Sequence, residues 1–168
     1  MDIGKFLEKS MGMDDAVWTR HANPISGWSR MTTLPMIALA IWSRAWLGWW
    51  ALAVLAGVIV WVLANPRVFP KPRSTNNWMS KGVLGERVWL NRKQVAIPHH
   101  HAIWANILSI GTGIGILPFG WGLWQFSIWP TLLGLIILML GKLWFLDRMV
   151  WLFEDMKAEH AAYRALLY

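Results

Sequence analysis

The sequence predicts an all-α integral membrane protein of four transmembrane helices in two hairpins, with amphipathic helices at the cytoplasmic face. Hydropathy is the first observation behind this. Of 168 residues, 56% are hydrophobic and the mean hydropathy is +0.37, above the roughly 45–50% apolar share of soluble domains. Charge is the second. Fifteen of the 16 Lys and Arg residues fall on one side of two apolar hairpins, residues 26–64 and 102–146, and Arg44 alone sits at a hairpin tip. Basic residues beside membrane spans stay on the cytoplasmic side, so both termini are expected inside a cell (inner) membrane. Tryptophan is the third. Trp42, Trp46, Trp49, Trp50, Trp121, Trp124 and Trp129 gather at the hairpin tips, and Trp18, Trp28, Trp61, Trp78, Trp89, Trp104, Trp144 and Trp151 at the opposite ends. Two belts of rings at that spacing suit the two membrane–water interfaces.

The single membrane domain starts with residues 1–22, a cytoplasmic amphipathic segment in which Phe6, Leu7, Met11, Met13 and Val17 could line one helical face against the membrane surface. Asn23-Pro24 breaks the chain, because the residue before a proline disfavours α geometry. Hairpin 1 (26–64) holds span 1 at about 26–42 and span 2 at about 46–64. A span needs roughly 17–25 residues. Span 1 is short and relies on Arg30 snorkelling to the headgroups, with a re-entrant path as the alternative. Asn65-Pro66 is expected to end span 2.

The basic cytoplasmic loop, 65–101, follows. Its opening NPRVFPKPR has too many prolines for a helix. A short helix is expected over 77–94, with Trp78, Val83, Leu84, Val88 and Trp89 toward lipid. Hairpin 2 (102–146) places span 3 at about 102–119, an uncharged turn in PFGWGLWQFS, and span 4 at about 128–146; a helical cytoplasmic tail covers 147–168. Two short fragments echo each other: Gly27-Trp28-Ser29-Arg30-Met31 before hairpin 1 and Asn77-Trp78-Met79-Ser80-Lys81 before hairpin 2.

Composition removes several chemistries. With no cysteine, disulfides, thiolate metal sites and cysteine nucleophiles are excluded. The net charge of +7 would suit nucleic acid only on a soluble basic face. Here the basic residues flank apolar spans, so membrane lipids with anionic headgroups are the expected partners and nucleic acid is not. Arg67, Lys71, Arg73, Lys81, Arg87, Arg92 and Lys93 are the headgroup candidates, with Glu86 the single acid among them.

Imidazoles supply the one candidate metal chemistry. His99, His100 and His101 stand together before span 3, and His21, Asp147, Glu154 and Asp155 lie on the same side. Such donors suit zinc or iron. Consecutive residues on a helix diverge by about 100°, so no three of these side chains are expected to converge. Asp147 is expected to pair with Arg30, Arg67 or Arg87, and no cofactor is expected. Gly111-Thr112-Gly113-Ile114-Gly115 lies inside a span, away from any strand, and is not a phosphate loop. Gly111 and Gly115 instead form a small-residue face expected to meet Gly134 and Gly141 on span 4.

NPRVFPKP, NWMSKGVLGERVWLNR and WFLDRMVWLFEDM, within roughly residues 23–155, resemble a family of small bacterial multi-span membrane proteins of unknown function. The resemblance implies a membrane protein and transfers no activity. The function expected is that of a non-enzymatic accessory or lipid-interacting protein, acting alone, as a homo-oligomer or in a larger membrane complex. A membrane-bound His/carboxylate metalloenzyme acting on a lipid or isoprenoid at the cytoplasmic interface is the alternative. A small transporter comes third, disfavoured because no Asp or Glu lies near the middle of a span.

Overall fold

The computed structural model describes residues 14–168, and every described element is helical. Phe6, Leu7, Met11 and Met13 lie outside the described residues. The order is α1 (Asp15–His21), α2 (Pro24–Met31), α3 (Thr33–Trp42), α4 (Arg44–Leu47), a 3₁₀ turn (Gly48–Trp50), α5 (Ala51–Val68), α6 (Trp78–Leu90), α7 (His99–Ile114), α8 (Ile116–Trp124), α9 (Ile128–Glu159) and α10 (Ala161–Arg164). Among the described residues, three stretches are long and apolar enough to cross a membrane: Pro24–Val68, His99–Trp124 and Ile128–Glu159.

Helix starts follow from local chemistry. The Asp14 side chain accepts from the Val17 amide at 2.7 Å and caps α1, Asn23 accepts from Ile25 at 2.9 Å to cap α2, and Asn77 accepts from Ser80 at 2.9 Å to cap α6. Each satisfies a donor that the first helical turn leaves unpaired. Pro35, Pro118 and Pro130 each occupy the third position of a helix, where proline's missing N–H forfeits no bond.

Pro24–Val68 does not run straight. Gly48 takes φ 55°, a conformation that costs glycine little, and α3 then packs along α5. The two ends of the stretch consequently meet: the Ser26 hydroxyl donates to Asn65 Oδ1 at 2.7 Å. Pro66 lies inside α5 instead of ending it, a correction to the expected break. In the last turn its missing N–H removes a single bond, too little to stop a helix already packed along its length.

The stretch 102–146 also departs from expectation. Helix continues through most of PFGWGLWQFS, and only residues 125–127 form the turn. There Phe126 adopts φ 54°, a left-handed conformation costly for a side-chain-bearing residue. Arg44 covers the turn. Its guanidinium lies 4.0 Å from the Phe126 ring centroid and donates to the carbonyls of Leu123 at 2.5 Å and Trp124 at 3.0 Å. These are carbonyls that the end of α8 leaves unpaired, and a cation there also complements the helix dipole. Arg44 thus joins the segment before Gly48 to the turn at residues 125–127.

The largest core lies at the other end. α9 runs without interruption through the expected boundary at residue 146, so the expected separate tail is its continuation. Met149, Leu152, Phe153 and Met156 on this extension pack with Trp18, Ala22, Val83, Leu84, Val88 and Ala105. Val83, Leu84 and Val88 therefore face α9, not lipid as the sequence suggested, and Val17 and Trp18 are likewise buried. Alternation of apolar and basic residues on α6 was legible; what it packs against was not. Glycine makes the approach close enough, because a Cβ at Gly85 would run into the Met149 carbonyl. Trp28 and Trp78, from the two echoing fragments, stack with centroids 5.8 Å apart. Residues 166–168 close this end, with the Thr75 hydroxyl donating to Leu166 O at 2.8 Å and the Thr75 amide to Tyr168 O at 2.8 Å.

Glycine packing between α7–α8 and α9 is partly as expected. A Cβ at Gly115 would press on Ile137 and on Gly134 O at 3.1 Å, one at Gly134 would overlap Phe119, and one at Gly141 would overlap Thr112. Gly111 is the exception, since no atom of the described residues lies within 4 Å of where its Cβ would stand. Gly115→Leu and Gly134→Leu should each lower thermal stability in detergent markedly, and Gly111→Leu should not; equal loss in all three would contradict this packing. Arg44→Ala should cost about 1.5–3 kcal/mol, the range for hydrogen bonds involving a charged group, read from denaturant unfolding.

Candidate functional site

Two polar assemblies occupy the end of the molecule built on the α9 extension, and an apolar groove runs away from that end. The first assembly joins α1, α2 and α5. Arg30 Nη1 donates to Ser26 Oγ at 2.8 Å and lies 2.9 Å from His21 Nδ1, and Asn65 Nδ2 donates to Ser29 Oγ at 2.8 Å. Asn65 and Ser26 are fully buried, so this network pairs groups that would otherwise be costly inside the protein. Nearby, Lys142 on α9 pairs with Glu86 on α6.

The electrostatics agree with the geometry. Burial, then the adjacent Arg30 charge, lowers His21 from 6.5 to about 3, so its neutral ring accepts the Arg30 hydrogen bond. Burial of Glu86 opposes ionisation, but the charge and hydrogen bond of Lys142, with help from His21 and Arg30, hold its carboxyl below the ordinary range. Sequence reasoning passed over this pair, although a signal existed. Glu86 is the single acid in the basic loop and Lys142 the single charge within 128–146, and two lone opposite charges beside apolar surface need each other.

The groove lies between α7 and α9. About 240 Å³ is lined by Trp104, Ile107, Leu108, Gly111, Ile137 and Trp144, among others. The open face of Gly111 is part of it. At one end the rings of Trp104 and Trp144 stand 6.4 Å apart. Arg148, one turn beyond Trp144, holds its guanidinium 5.8 Å from the Trp104 ring. Arg148 Nε and the groove's Thr112 Oγ1 are buried with no hydrogen-bond partner among the described residues.

The second assembly continues the same seam. His100, His101 and Asp155 bring their ligand atoms within 4.8 Å of one another, and His101 Nε2 lies 2.9 Å from Asp155 Oδ2. The expectation that no three candidates converge is therefore corrected. Adjacent helical residues diverge at Cβ, but imidazole is long enough to swing back, and these two rings stand 4.1 Å apart. His99, His21, Asp147 and Glu154 are not part of the group. Asp147 accepts from Trp78 Nε1 at 3.0 Å in place of the expected arginine, because α6 lies against α9 at that level. Glu154 pairs with Lys81 at 2.8 Å and with Lys157.

Of the headgroup candidates, Lys81 is thus in an ion pair, Arg87 pairs with Asp15, and Arg92 stacks 4.0 Å over Trp89. Lys71 lies 4.5 Å over the Tyr168 ring, while Arg67, Arg73 and Lys93 are exposed at the surface.

Residues 2–166 match the profile of a family of unknown function (DUF6653). The chain belongs to that family. No curated protein and no solved structure matches it. The family spans α1, α6 and the α9 extension together with the apolar helices, so both polar assemblies lie within it.

The His21 shift has a definite sign. A depressed folded-state value means that the neutral ring's contribution is fully present above about pH 6.5 and is lost as pH falls toward 3. Glu86 adds the same sign only below its ordinary value of 4.5. Wild-type stability should therefore fall between pH 6.5 and 4.5 more steeply than that of His21→Gln, measured by thermal unfolding in detergent. Parallel profiles would show that His21 is not held neutral.

Proposed function

We propose that this protein is a four-span membrane protein that binds the chain and headgroup of a membrane phospholipid along the α7/α9 groove. The observation that carries this reading is the sequence of surfaces along that seam. An apolar groove that Gly111 lines leads to two tryptophans, and then to the Arg148 guanidinium beside the Trp104 ring. An acyl chain needs the first surface, the membrane interface favours the second, and a phosphate needs the third. The volume is below the roughly 300–1,000 Å³ of ordinary small-molecule pockets and suits part of one chain. An accessory, lipid-interacting role follows more directly from this arrangement than catalysis does.

The membrane arrangement proposed is two hairpins, turning at Gly48 and at residues 125–127, with both termini cytoplasmic in the cell (inner) membrane. Exposure supports it. Trp46, Trp49, Trp50, Trp121, Trp124 and Trp129 are exposed at the turn end, and large apolar side chains such as Val60, Ile110, Leu117 and Leu140 are exposed along the helices. Such residues are stable at a surface when that surface faces lipid. The basic bias supplies orientation.

Single cysteines in this cysteine-free chain test the orientation with an impermeant reagent on intact cells. Residue 47 should label and residue 76 should not; the reverse would refute it. Lipid binding is tested with Gly111→Leu, which fills the groove without displacing packed atoms. Wild-type protein should retain phospholipid through purification, and Gly111→Leu and Arg148→Gln should retain several-fold less. Equal retention by all three would sink the reading.

A further inference from the structure

We propose that His100, His101 and Asp155 form an open binding site for one divalent transition metal, zinc or ferrous iron in class. This goes beyond the lipid reading and does not depend on it. The donors are two imidazole nitrogens and one carboxylate oxygen, drawn from the start of α7 and the far end of α9. That set suits zinc and iron and is poor for calcium or magnesium, which take oxygen donors. The spacing fits as well. An ion held at about 2.0–2.2 Å needs donors separated by about 3.4 Å in tetrahedral geometry. His101 and Asp155 are at 2.9 Å, and all three donors lie within 4.8 Å, so small side-chain rotations complete the site.

Exposure decides what kind of site it is. His101 is 4% exposed, while the Asp155 side chain is 51% exposed and His100 is exposed. One ligand is thus anchored in the core beside Ala105 and the other two face outward. Three protein ligands with an outward-facing side leave coordination positions for water or an oxyanion, the pattern of reactive metal sites; structural sites use four protein ligands. The location adds to this. His101 precedes Trp104 by three residues, about 4.5 Å along a helix, and Asp155 follows Arg148 by two turns. A metal at this point would face the polar end of the groove, where a phosphate or carboxylate oxygen would complete its coordination. The bland account of the same residues is a His101–Asp155 hydrogen bond that fastens α7 to α9. It explains the 2.9 Å contact and leaves the position of His100 without a reason.

The test uses the full chain without a histidine tag, stripped by chelator in detergent and titrated with zinc, with cobalt as a spectroscopic substitute. Wild type should bind one zinc per chain, give a cobalt absorption spectrum of mixed nitrogen and oxygen ligation, and rise in thermal stability as zinc is added. His100→Ala removes an exposed ring that makes no side-chain hydrogen bond among the described residues, so metal-free stability should stay at the wild-type value. Zinc affinity should nonetheless fall at least about tenfold, and the zinc-induced shift should vanish. Asp155→Asn, which can still bond His101, should lose zinc in the same way, whereas His99→Ala should bind normally. Wild-type affinity in both His100→Ala and Asp155→Asn, or no zinc-induced stabilisation of wild type, would overturn the proposal. Loss of binding in His99→Ala with retention in His100→Ala would overturn it too.

Discussion

The length of α9 is the constraint on which the rest depends. Thirty-two residues make a helix of about 48 Å at 1.5 Å per residue, against roughly 30 Å for the apolar layer of a bilayer. About a dozen residues must therefore find partners of another kind. Met149, Leu152, Phe153 and Met156 find them in α6, α1 and the start of α7. Each polar feature of this end hangs on that packing. Glu86 reaches Lys142 and Lys81 reaches Glu154 because α6 lies along α9, and Asp155 reaches His101 because α9 extends past the start of α7. Hydrophobic burial positions the ionic groups, and the ion pairs then fix register more than they add stability.

The same packing explains how a polar network survives beside apolar helices. Asn65, Ser26, Ser29, Arg30 and His21 satisfy one another where α1, α2 and α5 meet. A buried amide or guanidinium without such partners would be strongly unfavourable. The network ties the two ends of Pro24–Val68 together, much as Arg44 ties the two turns at the opposite end. Each end of the molecule is thus closed by an arginine whose bonds go to backbone carbonyls or neutral side chains.

The sequence carried the periodic features well. Apolar runs are local, and they marked where the helices lie, though α9 runs 13 residues past its expected end. What it did not carry was partnership. Val83, Leu84 and Val88 read the same whether they face lipid or protein, since both surfaces are apolar. Asn65-Pro66 reads as a stop but lies inside the last turn of a helix, with Ser26 and Ser29 as the partners of Asn65. The site divides in the same way. Histidines and carboxylates were visible as donors, but the pairing of His100 and His101 with Asp155 depends on α9 being one unbroken helix. Gly111 shows the converse, a small residue that looked like packing and lines a groove instead.

The docking of α6 on α9 is the claim to test most directly. A Cβ at Gly82 would stand 3.6 Å from the Leu146 Cβ, inside the roughly 3.5–4.5 Å span of a disulfide. In a chain with no other cysteine, Gly82→Cys with Leu146→Cys should close an intramolecular disulfide nearly completely when isolated membranes are mildly oxidised, read by intact mass after alkylation. If both cysteines instead remain free and alkylate fully under that oxidation, α6 does not lie on α9, and the core, the ion pairs and the seam built on it are wrong.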